Sequence, residues 1–329
     1  MAKKATSKHS SGERLPRREM PWGQLPYPTE GTEPLSGLLC IDKDKGVTSH
    51  DIVGAVRRLA GTRKVGHAGT LDPMATGVLC VGIGRATKLL QYVTGTSKEY
   101  TATIRFGIST STDDAEGEIG ETAGCASLPL EDLAEHMRAL TGDIMQVPSS
   151  VSAIKIGGKR AYELAREGKA AQLSARPVTV YAFELCGEPR HGEYEGVPVV
   201  DVDVRVECSA GTYIRALARD LGTALGVGAH LTALRRTRVG KWSEEDCASI
   251  SALAEYVREG KVLPHISLAD TCAGLFDVLD ISEDEAKRLQ HGQFIDKRDM
   301  KGIGVAFLHG QPIALLEERK GQLKPSLVF

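Results

Sequence analysis

A glycine-rich loop in the first third of the sequence combines residue types that nucleophilic or acid–base chemistry requires. The segment GHAGTLDPMATG, residues 66–77, contains His67, and it contains Asp72 directly before Pro73. A residue that precedes proline is confined to extended backbone, so the Asp72 carboxylate is presented stiffly. Ionised carboxylates serve as nucleophiles that form covalent intermediates. Taken by itself, an Asp-Pro pair among glycines is also typical of a simple turn.

The loop is one of an ordered series of motifs that resembles a single enzyme family. It matches the pattern GHxGTLDPxATGVL of pseudouridine synthases of the TruB type, and the resemblance extends over about residues 37–250. The other matching segments are DKDKGVTSHD from Asp42, GRATKLLQY from Gly84, KEYTATIRFG from Lys98, QVPSSVSAIKIGGKRAYELAREG from Gln146, RPVTVYAFEL from Arg176, CSAGTYIRALARDLG from Cys208 and GAHLTALRRTRVG from Gly228. This order of motifs identifies the chain as similar to that family along most of its length.

The resemblance implies an isomerase that converts uridine 55 in the T-loop of tRNA to pseudouridine. In this reaction the N-glycosidic bond breaks, the uracil turns over, and C5 of the base is joined to the ribose. The match makes Asp72 the catalytic nucleophile, and the residues leave open whether it adds to the base or attacks C1′ of the ribose. The isomerisation needs no redox change and no group donor, so we expect no cofactor and no metal.

Five further residues match substrate-binding positions of the family. A base inside folded RNA is unreachable, so we expect the enzyme to flip it out and stack it on an aromatic ring. The resemblance assigns this stacking to Tyr100, and it brings His67 into the RNA loop near the place that the flipped base vacates. It puts Arg215 beside the nucleophile and Tyr213 and Leu234 in the substrate pocket. Without the resemblance, Tyr100 and Leu234 also fit ordinary core positions.

Clusters of basic residues flank these motifs and predict an RNA-binding face. The chain has 41 Lys and Arg against 43 Asp and Glu, a formal net charge of −2, so bulk charge cannot hold a polyanion. We therefore expect local contacts to the RNA backbone from a small set of cations. That set consists of Lys43, Arg63, Lys64, Lys155, Arg235 and Arg236.

Two alternatives to a stand-alone tRNA enzyme remain open at this stage. One is a guide-RNA-dependent synthase of the dyskerin kind, and the other is an RNA-binding protein that helps tRNA to fold. The motif spacing and the short C-terminal part favour the stand-alone enzyme. We expect it to act on tRNA as a monomer, without an obligate protein partner and without a membrane.

The elements that must position these residues predict an α/β fold. Alternating strands such as Val200–Cys208 favour a mixed, mainly antiparallel central sheet, as in the pseudouridine synthase fold that the resemblance implies. A helix capped by Ser49 is expected after the first strand. Residues 1–35 are predicted to be a disordered basic arm, 36–265 the catalytic domain, and 266–329 a small β-rich domain. This last domain is either a PUA-like RNA-binding module or a structural cap.

Sequence features also predict a cytoplasmic location. No stretch approaches the roughly 18 consecutive apolar residues of a membrane-spanning helix. The basic, polar start lacks the apolar core of a secretory signal. The seven cysteines are widely spaced without a CxxC pair, which is typical of reduced thiols and not of a disulfide framework or a zinc site.

Overall fold

The computed structural model describes residues 20–29, 31, 35–149, 155–156, 159–160 and 173–329. In these ranges the α-helices are α1 (Ser49–Leu59), α2 (Leu90–Gly95), α3 (Leu130–Ala139), α4 (Ile214–Ala224), α5 (Ile250–Arg258), α6 (Leu268–Ala273) and α7 (Glu283–Gln290). Short 3₁₀ helices span Gly84–Leu89 and Glu244–Asp246. None of the helices in the described part of the chain has the length and apolar character that crossing a membrane requires.

Nineteen strands are present in the same described ranges. The first ten are β1 (Gly37–Lys43), β2 (Val65–Ala68), β3 (Thr76–Ile83), β4 (Lys98–Phe106), β5 (Gly142–Gln146), β6 (Lys155–Ile156), β7 (Lys159–Arg160), β8 (Arg176–Leu185), β9 (Arg190–Tyr194) and β10 (Val197–Cys208). The others are β11 (Ala229–Val239), β12 (Trp242–Ser243), β13 (Cys247–Ala248), β14 (Ile266–Ser267), β15 (Asp277–Asp280), β16 (Ile295–Asp296), β17 (Gly304–Leu308), β18 (Gln311–Arg319) and β19 (Gln322–Val328).

A large mixed sheet forms the greater part of the fold. Its strands follow the order β13-β1-β3-β11-β4-β10-β8-β5, with β2, β9, β12 and β14 paired to members of this path. The pairs β1–β13 and β3–β11 are parallel, and the other pairs in this sheet are antiparallel. The predicted α/β class with a mixed, mainly antiparallel central sheet is confirmed.

Alternation of side chains along the strands determines which face of the sheet is core. In β10 the valines at 200, 202, 204 and 206 are buried, whereas the intervening charged residues are partly exposed. Helices α1, α4 and α5 contribute their apolar sides to the same core as these valines. On the opposite face, Arg105 of β4 contacts Asp201 of β10 at 2.7 Å. At β4 and β10 one face is therefore a packed core and the other is wet, as expected for antiparallel strands, whereas β1 and β3 are buried on both faces.

The start of helix α1 differs from the prediction in one residue. Thr48 is the cap, since its hydroxyl accepts from the backbone N–H of Asp51 and the Asp51 carboxylate accepts from that of Thr48. The predicted cap, Ser49, lies inside the helix, and its hydroxyl bonds the backbone of Leu71 instead. The reciprocal capping box satisfies two N–H groups at once, which Ser49 alone cannot do.

A second, five-stranded sheet lies at the C-terminal end of the chain. Its strand order is β15-β17-β18-β19-β16, which confirms the β-rich C-terminal part of the predicted fold. An apolar cluster that includes Leu89, Val305 and Phe307 joins it to the larger part, and the rings of Tyr92 and Phe276 meet edge-on at 5.0 Å. Strand β14 still pairs with β1 of the large sheet. The division at 265/266 stays a prediction.

Residues 20–29, which we call the N-terminal strap, pack on the helices. Met20 and Leu25 are buried, and the Leu25 carbonyl accepts from Arg58 Nε at 2.5 Å. The Arg58 guanidinium also lies 4.1 Å from the ring centre of Tyr27. The prediction of disorder over residues 1–35 is therefore wrong for the strap, because a few apolar side chains in a polar segment are enough to hold it on the core.

Leu25→Ala is expected to lower the free energy of unfolding by about 2–3 kcal/mol, because it removes buried methyl groups from a site that is only 8% exposed. Urea titration followed by circular dichroism measures the change. Gln24→Ala is the control, since this neighbour is exposed and only its backbone carbonyl is bonded. Equal stability of the two variants would show that the strap contributes nothing to the fold.

Candidate active site

The catalytic-loop candidate, residues 69–75, connects β2 to β3 and has a fixed backbone. The N–H of Ala75 donates to the carbonyl of Asp72 at 3.1 Å, and the N–H of Gly46 donates to the carbonyl of Pro73 at 2.8 Å. Gly77 follows with a φ of +96°, and a Cβ there would lie 2.2 Å from a backbone oxygen of the neighbouring strand. Only glycine fits such a position, so the end of the loop is packed tightly against β11.

Lys43 of β1 and Ser49 of α1 hydrogen-bond the backbone of this loop. The Ser49 hydroxyl bonds both the N–H of Leu71, at 2.8 Å, and its carbonyl, at 3.0 Å. The ammonium of Lys43 is fully buried and donates to the carbonyls of Val47 and Pro73 at 2.9 and 3.4 Å. Burial lowers the pKa of Lys43 to about 8, and the Asp72 charge opposes this shift.

Arg215 binds Asp72 directly, as predicted from the sequence. Its Nε lies 2.9 Å from Asp72 Oδ2, and its Nη1 lies 3.3 Å from Asp114 Oδ2 and donates to the Thr112 carbonyl at 2.8 Å. The side chains of Arg215 and Asp114 are only 4% and 5% exposed, against 35% for Asp72. The Asp72 carboxylate is therefore accessible from solvent, whereas Arg215 and Asp114 are buried.

Asp114 was not identified from the sequence, although it lies in the acidic turn STSTDDAEGE. Its Oδ1 accepts from the Thr112 hydroxyl at 2.5 Å and from the N–H of Glu116 at 3.0 Å. The preceding Asp113 has a φ of +61°, and its carbonyl accepts from the N–H of Leu231 on β11. The turn is therefore tied to the sheet and aims Asp114 at the guanidinium. The cluster of carboxylates in this turn is visible in the sequence, but the sequence does not show that one of them contacts Arg215.

Tyr100 and Leu234 line the interior beside the loop. Tyr100 of β4 is 8% exposed, and Leu234 of β11 lies in the same core cluster. Burial raises the pKa of the Tyr100 phenol more than the nearby Arg236 charge lowers it, so the phenol keeps its proton at neutral pH. Both side chains are thus core residues, and their contact with substrate stays a prediction.

The other two predicted substrate-binding residues, Tyr213 and His67, lie on separate elements. Tyr213 precedes α4, where its backbone N–H and carbonyl both bond the Gln146 side chain, at 2.9 and 3.1 Å. Gln146 ends β5 and is buried, so it fixes the start of the helix that bears Arg215. No motif or spacing in the sequence indicates this role of Gln146. His67 is half-buried on β2, opposite Val81 of β3.

Two of the basic residues predicted to touch RNA are inside the protein, which corrects that prediction for them. Lys43 is fully buried among carbonyl groups, and Arg236 is only 1% exposed. The Arg236 guanidinium donates to the carbonyls of Val78 and Gly69, at 2.7 and 3.1 Å. Because their charged groups are satisfied internally and shielded from solvent, neither is available to an RNA phosphate in this arrangement.

The remaining basic residues differ in their surroundings. Arg63 and Lys64 are exposed in the turn before β2. Arg235 is partly exposed and contacts the carboxylates of Asp42, at 3.0 Å, and Glu244. Lys155 lies in the short strand β6, and its predicted RNA contact falls outside what the structure describes.

A groove of about 480 Å³ flanks the site on the sheet. Its lining includes Leu234 and Met74, the second residue after Asp72, and it continues along Thr101 and Thr103 of β4. Asp72 and Arg215 are not part of the lining. Over the described ranges, no group of three or more His, Cys, Asp or Glu side chains is arranged to hold a metal ion.

Comparisons with known proteins agree with this geometry. Family models match residues 57–214 (TruB family pseudouridylate synthase, N terminal domain), 215–267 (tRNA pseudouridylate synthase B C-terminal domain) and 276–329 (tRNA pseudouridine synthase II, C terminal). A Nocardia farcinica protein named tRNA pseudouridine synthase B is 50% identical over 307 residues, covering 93% of this chain and 97% of its own length. A Paenarthrobacter aurescens protein of the same name is 52% identical over 305 residues, covering 90% and 95%.

A solved structure is similar along nearly the whole fold. It is described as an H/ACA RNP bound to a substrate RNA containing 2′-deoxyuridine, and it matches with a TM-score of 0.65. The match covers 93% of this chain and 90% of the other, at 23% sequence identity. At this identity the likeness shows that the two chains have the same fold.

The lowered pKa of Lys43 predicts a pH dependence of stability. Between its folded pKa of about 8 and its ordinary value of 10.5, the unfolded chain binds more protons than the folded chain. The contribution of Lys43 to stability therefore rises with pH across this window. Urea titrations of wild type and Lys43→Met at about pH 7, 9 and 10.5 are expected to show a stability difference that grows in favour of wild type.

Lys45→Met, which removes an exposed ammonium two residues away, is the control for this measurement. The Lys43→Met offset at low pH reports the lost hydrogen bonds, and only its change with pH reports titration. A difference that stays constant or shrinks as the pH rises would contradict the assignment.

Proposed function

The chain belongs to the TruB family of pseudouridylate synthases, and from this premise we propose that it isomerises uridine 55 in the T-loop of tRNA to pseudouridine. The observation that supports this most strongly is the ion pair of 2.9 Å between Asp72 and the buried Arg215. It provides a carboxylate on a rigid loop, partly open to solvent and held in one orientation. This is what a nucleophile requires when the substrate is a large RNA that must be brought to it.

The proposed reaction moves bonds within one nucleotide. The bond between N1 of uracil and C1′ of ribose breaks, the base turns, and a bond forms between C5 and C1′. The proton lost from C5 is balanced by one gained at N1, so the product has the formula of the substrate. Asp72 forms a transient covalent bond, either to C1′ or to the base, which divides one difficult step into easier ones.

Arg215 holds the Asp72 carboxylate in position for this attack. Its guanidinium is itself held by Asp114 and by the Thr112 carbonyl, so the carboxylate cannot rotate without breaking a buried ion pair. A planar guanidinium fixes direction as well as distance, which a lysine ammonium would not do. The reactive oxygen therefore keeps its place while the base turns beside it.

The target base reaches this site by flipping out of the tRNA. We assign Tyr100 as the ring on which the flipped uracil stacks, with its phenol protonated because burial raises its pKa. Tyr100 is almost closed off from solvent, so the side chains that cover it must move when the base enters. Leu234 and Tyr213 complete the pocket wall, and His67 enters the RNA loop where the base has left.

Exposed cations supply the contacts to the RNA backbone. The exposure of Arg63 and Lys64 next to β2, the strand that bears His67, supports this role for them. Lys155 and Arg235 keep the role as part of the proposal. We further propose that the enzyme is a monomer that acts on free tRNA in the cytoplasm, without an obligate protein partner.

A guide-RNA-dependent reaction is the second candidate. Its support is the fold likeness to the H/ACA RNP structure at 23% identity. The relatives at 50% and 52% identity, both named tRNA pseudouridine synthase B, favour the stand-alone reaction. The tRNA-folding activity, which the sequence also leaves open, requires the same RNA contacts. The assay below separates this activity from catalysis.

Purified protein is expected to release tritium from an unmodified tRNA transcript labelled at uridine C5, with no guide RNA present and with the product confined to the T-loop uridine. Asp72→Asn is expected to lower the rate on the order of 10³-fold or more while tRNA binding is retained. Asp201→Asn, which alters an ion pair on the wet sheet face, is the matched control.

Each other outcome of this assay favours a different function. Turnover that appears only after guide RNA is added would support the second candidate. Tight tRNA binding without any turnover, together with faster tRNA refolding, would support the folding activity. Retained turnover in Asp72→Asn would reject Asp72 as the nucleophile.

Replacement of Arg63 and Lys64 by glutamine is expected to weaken tRNA binding and to reduce its salt dependence. Each lost phosphate contact lowers the slope of log K against log salt concentration by about one. Filter binding at several salt concentrations measures the slope. Lys261→Gln, which removes an exposed cation beyond the end of α5, is the control. An unchanged slope in the double variant would place the RNA elsewhere.

A further inference from the structure

Arg236 is a buried arginine whose task is not explained by packing. Its side chain is among the largest that are fully enclosed, and both of its strong acceptors are neutral carbonyl oxygens, of Val78 and Gly69. Burial of a guanidinium carries a desolvation cost that an apolar side chain of similar size would not have. A buried cation at this place is therefore expected to perform a function that depends on its hydrogen-bond geometry.

One acceptor of Arg236 is the first residue of the candidate catalytic loop, and the other lies in the strand that follows the loop. Gly69 is the first residue after β2, with a φ of +82°, and Val78 lies near the start of β3. On the neighbouring strand β4, Tyr100 is the direct cross-strand partner of Arg236, so the two side chains leave the sheet side by side on the same face. Arg236 thus connects the loop that bears Asp72 to the strand position of the ring proposed to stack on the base.

The backbone of Arg236 lies where three strands of the sheet meet. It pairs with Gly77 of β3 in parallel register and with Tyr100 of β4 in antiparallel register. The register of β11 against β4 shifts just after it, between Arg236 and Arg238. Arg236 itself keeps regular register with both neighbouring strands, so its backbone position is fixed from two sides.

We propose that Arg236 is a positioning residue that keeps the Tyr100 ring and the catalytic loop at one fixed spacing. This inference rests on the proposed function, because the spacing matters only if Tyr100 holds the base of the nucleotide that Asp72 attacks. Arg236 acts through the loop and the ring and does not touch the RNA. A guanidinium suits this task because its donors point in fixed directions, whereas a lysine ammonium is a point charge on a flexible stem.

The test measures chemistry and binding separately for Arg236→Lys and Arg236→Met. Under single-turnover conditions with saturating enzyme, the rate of C5 tritium release is expected to fall about 100-fold in Arg236→Met, as for a small displacement of reacting groups. The dissociation constant for tRNA is expected to stay at the wild-type value. Arg236→Lys is expected to recover only part of the rate. Arg105→Lys, at an arginine bound to a carboxylate on the wet face, is the control.

A double-mutant cycle with Tyr100→Phe tests whether Arg236 acts through the phenol. The loss from Arg236→Lys is expected to be much smaller in the Tyr100→Phe background than in wild type, since coupled residues are not additive. Melting temperatures show whether each variant is folded. If Arg236→Met does not fold, the lysine variant and the cycle decide the question.

Three outcomes would overturn the proposal. Weaker tRNA binding with a smaller salt slope and a normal saturated rate would make Arg236 an RNA contact after all. A lower melting temperature with a normal rate per folded molecule would make it a purely structural residue. Full additivity in the cycle would reject the link to Tyr100. An inactive wild type would instead reject the proposed function, which distinguishes the two failures.

Discussion

A guanidinium can lie in a protein interior only where acceptors surround it, and Arg215 meets this constraint where three separate segments come together. Helix α4 supplies the cation, the acidic turn supplies Asp114 and the Thr112 carbonyl, and the catalytic loop supplies Asp72. Removal of the buried Asp114 carboxylate would leave the charge of Arg215 partly unsatisfied, at a cost of several kcal/mol. The position of Asp72 is therefore set by groups that are far from it in sequence.

Helix α2 connects the large sheet to the C-terminal sheet. Leu90 of this helix lies so close to Gly66 and Gly82 that a Cβ on either glycine would approach it to 2.9 Å. Gly66 directly precedes His67 on β2, and Tyr92 of the same helix meets Phe276 on the way to the C-terminal sheet. Helix α2 therefore packs both against the strand that bears His67 and against the start of the C-terminal sheet.

Sequence reasoning found the parts of the site that are encoded locally. Asp72 and Arg215 were predicted because each lies in a motif with a recognisable residue order, and the mainly antiparallel sheet was predicted because alternation along one strand reports its two faces. Asp114 was missed because its role depends on a contact with a helix about 100 residues later in the chain. The burial of Lys43 and Arg236 was missed because residue type alone predicts exposure, and only the packed structure shows where the carbonyl partners lie.

Some of the cations are buried and others are exposed, and this difference limits which of them can contact RNA. Cations such as Arg236 hold the protein's own backbone, and Arg235 already faces Asp42 and Glu244, so a phosphate must compete with two carboxylates for it. With a net charge of −2, the protein has little excess positive charge to attract tRNA from a distance. If the chain acts on tRNA as proposed, selectivity must arise at close range, from a few exposed cations such as Arg63 and from the site around Asp72. Buried cations such as Arg215 serve that site by holding the loop that bears Asp72.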